Sequence, residues 1–172
     1  MVLRPALLRR APVLAAPLLA ACGPLEETPD GVWEVTVRSE VIEEGGSQTL
    51  ATDCVDQGAV FEKTFLYELY AEDGGSGVEL KINGESFAIG TRQGCRLTYQ
   101  SAVWLEERPS GQLQWQIAGV ADYQGAIGGC DLPEGLDWFG EETIEIVASE
   151  DEEIPAGCTY GLLVEGTLKS GG

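Results

Sequence analysis

Histidine is absent from all 172 residues. Its absence removes Ser-His-Asp and Cys-His catalysis, imidazole zinc sites and the usual proton switch near neutral pH together. Basic residues are scarce as well: ten Lys and Arg stand against 29 Asp and Glu, a formal net charge of −19. A surface of that sign repels nucleic acid and anionic head groups, which excludes a nucleic-acid partner and adsorption to membranes through a basic patch. The five cysteines contain no Cys-x-x-Cys pair, so a thiol redox motif or a zinc knuckle has no support. No nucleophile elbow surrounds Ser47, Ser76 or Ser110, and each sits in a turn-like context. Ten-residue helical periodicity is missing throughout.

What is present begins at the N-terminus. Residues 1–10 carry Arg4, Arg9 and Arg10 and no acid, and residues 11–21 are an eleven-residue apolar run interrupted by Pro12 and Pro17. That run is far short of the roughly 20 residues a membrane span needs and has the build of a secretory signal. It closes on Leu19-Ala20-Ala21-Cys22, which resembles the bacterial lipobox. The resemblance implies cleavage before Cys22, a diacylglyceryl group on its thiol and acylation, such as palmitoylation, of the new amine. Acyl chains at about 0.8 kcal/mol per buried methylene hold a protein on a membrane almost permanently. The membrane is therefore an expected partner, through covalent lipid at Cys22. Gly23 stands where an Asp would favour inner-membrane retention, so the resemblance points to the outer membrane, facing periplasm or cell surface.

The chain thus divides into a signal peptide (1–21), a short tether with Pro24 and Pro29 (22–30) and a single domain (31–172). The tether's last eight residues reach at most about 29 Å. Seven basic side chains remain against 29 acids after cleavage, so the lipid must anchor alone. The aromatic and β-branched content is too high and too regular for a disordered acidic chain.

From Gly31 the period is two. Trp33, Val35 and Val37 alternate with Glu34, Thr36 and Arg38, and Val78–Ile82 and Glu85–Ile89 flank Asn83-Gly84, the pair a type I′ hairpin turn prefers. Strands are expected over 32–41, 48–55, 60–71, 78–82, 85–89, 95–106, 112–120, 143–148 and 158–168, with one long loop over 121–142. About eight or nine antiparallel strands in a meander predict an all-β barrel, or alternatively a β-sandwich. Four cysteines, Cys54, Cys95, Cys130 and Cys158, in an exported chain predict two disulfides. Counting strands up and down places Cys95 with Cys130 at one end and Cys54 with Cys158 at the other, which predicts those pairings.

Gly31-Val32-Trp33 at the first strand, followed by the meander, is similar to the opening of lipocalins. That resemblance implies an eight-stranded barrel with the tryptophan plugging one end and a cavity for small apolar ligands; lipid-anchored bacterial members exist. The chain departs from the family pattern in lacking a Thr-Asp-Tyr segment at the third turn and a helix after the last strand.

Function is less explicit. Asp131, Glu134 and Asp137 in the long loop are candidate calcium ligands, because oxygen-rich loops suit that ion, but their order is not that of a calcium loop. No cofactor is implied. Trp33, Phe65, Tyr67, Trp115, Trp138 and Phe139 are the candidate ligand-facing residues. The reading is a lipid-anchored, non-enzymatic binding or structural module of the bacterial envelope, its protein or small-molecule partner unidentified. Alternatives are a lipocalin-like carrier of a small apolar ligand and a hydrolase working with paired carboxylates.

Protein purified from membranes of a bacterial host is expected to show an intact mass cut before Cys22, with acyl additions, and to gain four hydrogens on reduction. An uncut or unacylated chain would remove the anchor.

Overall fold

A computed structural model describes residues 29–44, 47–54, 61–71, 75–124, 130–151 and 154–171. Cys22 and the signal segment lie outside the described residues. Among the described residues the regular structure is all strand. The elements are β1 (Gly31–Ser39), β2 (Val41–Glu44), β3 (Ser47–Leu50), β4 (Glu62–Ala71), β5 (Gly77–Ile82), β6 (Glu85–Gln93), β7 (Arg96–Ser101), β8 (Trp104–Arg108), β9 (Gly111–Tyr123), β10 (Trp138–Ser149) and β11 (Thr159–Gly171).

Eight of them, β1, β4, β5, β6, β7, β9, β10 and β11, form an antiparallel up-and-down barrel. The β9–β10 and β1–β11 ladders complete the ring. Closure leaves these eight without a free edge along the paired stretch, which is how a meander of this length protects its backbone polar groups. The alternation read from β1 holds in three dimensions: Trp33, Val35 and Val37 point inward and are buried. The Asn83-Gly84 turn adopts positive φ at both residues, 52° and 84°, as a type I′ turn requires.

Three expectations about strands need correction. The segment around residue 48 is not a barrel strand. β2 and β3 pair only with each other as a separate hairpin, and Thr52 then makes an isolated bridge to Tyr160. The strand expected over 95–106 is broken. Ser101 Oγ accepts the Ile117 amide at 2.9 Å and donates to the Ala102 carbonyl at 2.8 Å. A side chain thereby takes a ladder amide, and β8 resumes along β9 without rejoining β6. Finally, β9 runs on to Tyr123 and β10 starts at Trp138. The long loop contracts to 124–137, and Trp138 and Phe139 stand on a strand.

Both disulfides form as expected: Cys54–Cys158 with Cα atoms 5.0 Å apart and Cys95–Cys130 with Cα atoms 5.7 Å apart. The strand expected over 48–55, counted toward the Cys54–Cys158 pairing, nonetheless does not cross the barrel. Cys54 shares an end with Cys158 because β1 finishes there and the β2–β3 hairpin never leaves that end. The other end holds the start of β1, where Asp30 donates its amide to the Leu69 carbonyl at 2.7 Å.

The Cys54–Cys158 bridge joins residues 104 apart. In the chain-entropy model a loop of that size is worth about 4–5 kcal/mol. The double variant C54S/C158S is expected to lose roughly that much in urea unfolding, with the Cys95–Cys130 bond intact. A loss below about 1 kcal/mol would show that the hairpin end is held by packing alone.

Candidate functional site

The barrel is filled at one end and hollow at the other. At the filled end, where β1 begins, Trp33 packs on Trp138 with ring centroids 5.2 Å apart and edge-on to Tyr123 at 5.6 Å. Tyr67 meets the other side of Trp138 at 5.6 Å. Both tryptophans are 0% exposed, and Trp33 Nε1 donates to the Gln124 carbonyl at 3.2 Å. Leu69, Leu80 and Leu97 complete this core. A second, smaller cluster at the hollow end packs Leu113, Ile146 and Ile154 around the Cys54–Cys158 bridge.

Between them lies a cavity of about 860 Å³. Its walls are mostly apolar, with Phe65 from β4, Ile82 from β5, Trp115 and Ile117 from β9, and Ile144 from β10. Trp104 stacks on Trp115 at the mouth, ring centroids 5.9 Å apart and planes 19° apart. The wall is split on one side. The β6–β7 ladder stops at Ala88 and Ser101, and β8 pairs with β9 alone among the described residues. Phe87 of β6 and Trp104 of β8, each just beyond the point where the ladder stops, both belong to the cavity lining.

Glu142 forms the floor. It is 2% exposed and stands on β10 in the inward phase of Trp138, Gly140, Ile144 and Ile146. Its Oε1 accepts two hydroxyls, Tyr99 at 2.6 Å and Tyr67 at 3.1 Å. Tyr99 reaches it across β9 because Gly119 lies opposite both residues in register. A Cβ on Gly119 would come within 2.2 Å of the Tyr99 ring. Burial pushes the Glu142 carboxyl above the ordinary carboxylate range, against the lowering effect of the two tyrosine hydrogen bonds. The same burial, and then the nearby carboxylate, raise both tyrosines well above their usual value.

Of the six candidate ligand-facing residues, Phe65, Tyr67 and Trp115 line the cavity. Trp33 and Trp138 do not. They belong to the plug, because both lie at the far level of the barrel, where the inward volume is already full. Phe139 stands half-buried on the outer face of β10, away from the cavity lining. The candidate calcium ligands are not brought together: Asp131 and Glu134 are exposed, while Asp137 Oδ2 accepts the Leu168 amide at 2.8 Å. Among the described residues the one cluster of metal-ligand type is Asp53, Cys54 and Cys158, and its two sulfurs are already joined as a disulfide.

A carboxylate pair for glycoside hydrolysis would need a second acid within about 5–10 Å of Glu142. Glu106 lines the mouth and pairs with Arg108 at 2.8 Å. Its register partner on β9, Leu113, lies six residues from Gly119, the partner of Glu142. Six residues are about 20 Å of strand. Glu85, also in the lining, is exposed beside the hairpin turn.

Glu142 itself was missed by sequence reasoning, which placed it at the end of a loop inside a run of acids. The signal that locates it is the phase of Ile144 and Ile146 carried back two residues. Compared with described families, curated proteins and solved structures, the chain matches none.

Because burial raises its folded-state pKa, Glu142 contributes most to stability below its unfolded pKa of about 4.3, and that contribution is lost as pH rises through the folded-state value. E142Q keeps an acceptor for both tyrosines and imitates the protonated acid. It is expected to be more stable than the parent at pH 8, the difference shrinking toward pH 4; Asp53, whose carboxyl is lowered by its Thr159 contacts, is common to both and cancels. Urea midpoints across that range check this, and equal pH dependence in the two proteins would contradict it.

Proposed function

We propose that this chain is a non-enzymatic binding protein of the bacterial envelope, tethered through acylated Cys22, whose barrel carries a small, mostly apolar molecule. The observation that carries the reading is the cavity of about 860 Å³ with its aromatic and aliphatic walls, within the roughly 300–1,000 Å³ range of small-molecule sites. A barrel filled at one end by Trp33 and hollow at the other also supports the lipocalin-like alternative over a purely structural module. The lipobox resemblance at Leu19–Cys22 supports the tether, and Gly23 supports the outer membrane. An eight-stranded ring is wide enough either to be filled by its own side chains or to hold one small ligand; here the halves divide those roles.

A second reading has its own observation. Val103 and Leu105 flank Trp104 beside the β8 edge and are 50% and 59% exposed. An exposed edge that begins with an apolar patch and continues into Glu106, Glu107 and Arg108 is a template for a protein partner.

A neutral naphthalene fluorophore is expected to bind one site with enhanced emission and to quench Trp115. Ile144→Trp, which fills the cavity from its wall, should weaken it by about tenfold or more, since a ligand cannot share close-packed volume. Saturable binding that survives I144W would move the site to β8. No binding by the parent would remove the carrier reading.

A further inference from the structure

Glu142 is a poor choice for structure alone. Two tyrosine hydroxyls inside a barrel need one acceptor, which a glutamine would supply without a buried charge. Removing a carboxylate from water costs several kcal/mol unless a cation or further hydrogen bonds compensate. Among the described residues neither is present at the floor of the cavity. Both hydroxyls converge on Oε1, and Oε2 takes no hydrogen bond from any described residue. A carboxylate has about four lone-pair sites, so half of its capacity faces the cavity unused. Among the described residues the single basic side chain in the lining, Arg108, is at the mouth and holds Glu106.

The other features of the cavity favour one kind of guest. Phe65 and Trp115 present aromatic rings to the space above Glu142, and such faces attract cations as well as apolar groups. The chain's strongly negative charge draws cations toward the mouth and repels anions. An anionic amphiphile, such as a fatty acid, would set its head group against Glu142 or strand it in the acidic mouth.

Resting on the carrier reading above, we infer that the cavity is specific for lipophilic amines. The ammonium group of the ligand is held by Glu142 Oε2 at the floor and its apolar body lies against Phe65, Trp115 and Ile144. Glu142 is thus the specificity-determining residue. Tyr67 and Tyr99 are positioning residues that fix the carboxylate through Oε1 and leave the second oxygen for the guest. The ammonium enters head first, so the polar end of the ligand is its deepest part.

Octylamine, 1-octanol and octanoate, which share one apolar body, separate the two levels of the claim when each displaces the neutral fluorophore at pH 7. Octylamine is expected to bind about 10–100-fold tighter than octanol, the range of a buried charge-assisted hydrogen bond, and octanoate weakest of the three. In E142Q the amine should fall to the level of the alcohol while alcohol and fluorophore affinities hold. Fluorophore binding with no preference for amine over alcohol would overturn the inference and leave the carrier reading intact. Loss of fluorophore binding to the parent overturns the carrier reading itself. Should E142Q fail to fold, the amine-to-alcohol ratio in Tyr99→Phe, which removes one of the two donors to Glu142 Oε1, decides: the preference is expected to persist but weaken, and a ratio unchanged from the parent's counts against Glu142.

Discussion

Everything in this barrel depends on how two tryptophans share one end of it. Trp33 from β1 and Trp138 from β10 are far apart in sequence and meet in the interior, fully buried and in ring contact. Their bulk fills the inward volume of that end, and Tyr67 and Tyr123 pack against them. Truncating a buried tryptophan costs about 3–5 kcal/mol, so this contact is a large part of a marginal total. The other end has no such paired indoles at its centre and keeps a cavity walled by Phe65, Ile82, Trp115, Ile117 and Ile144 among others.

The legibility of the fold in the sequence follows the same line. Strands whose two faces differ chemically were readable: Trp33, Val35 and Val37 against Glu34, Thr36 and Arg38 admit one inward face. Asn83-Gly84 was readable because few other pairs accept positive φ twice. What could not be read were features with a tertiary cause. Ser101 breaks a strand because its hydroxyl finds the Ile117 amide, a contact between residues sixteen apart. The 138–142 stretch looked like a loop because Gly140 and two glutamates are poor strand formers in isolation, and only pairing to β9 and β11 on both sides keeps it extended. Trp33 and Trp138 were legible as aromatic and inward, not as plug rather than wall, since depth along a barrel is not encoded in alternation. Glu142 was hidden by abundance: among 29 acids, one that turns inward carries no mark of its own.

Glu142 also shows how a polar group can be tolerated in such an interior. Gly119 clears the space over β9, Tyr99 crosses it, and Tyr67 approaches from β4, so three strands are tied to one carboxylate oxygen. Stability is given up for a defined chemical surface at the bottom of an apolar space, a common exchange at binding sites.

The chain enters the barrel at Asp30 and Gly31, on the plugged end. Under the proposed acylation of Cys22, nine residues before Gly31 in the sequence, that end would be the one nearer the lipid, and the mouth would be lifted away from it by the depth of the barrel, on the order of 30 Å. On that proposal the vessel would stand upright on its base, and its contents would be exchanged with the water above the membrane and not with the bilayer beneath. A greasy cargo would have to arrive dissolved at low concentration or be handed over by a soluble donor. Such tethering would fix where the molecule waits, while the source it draws on would lie on the other side.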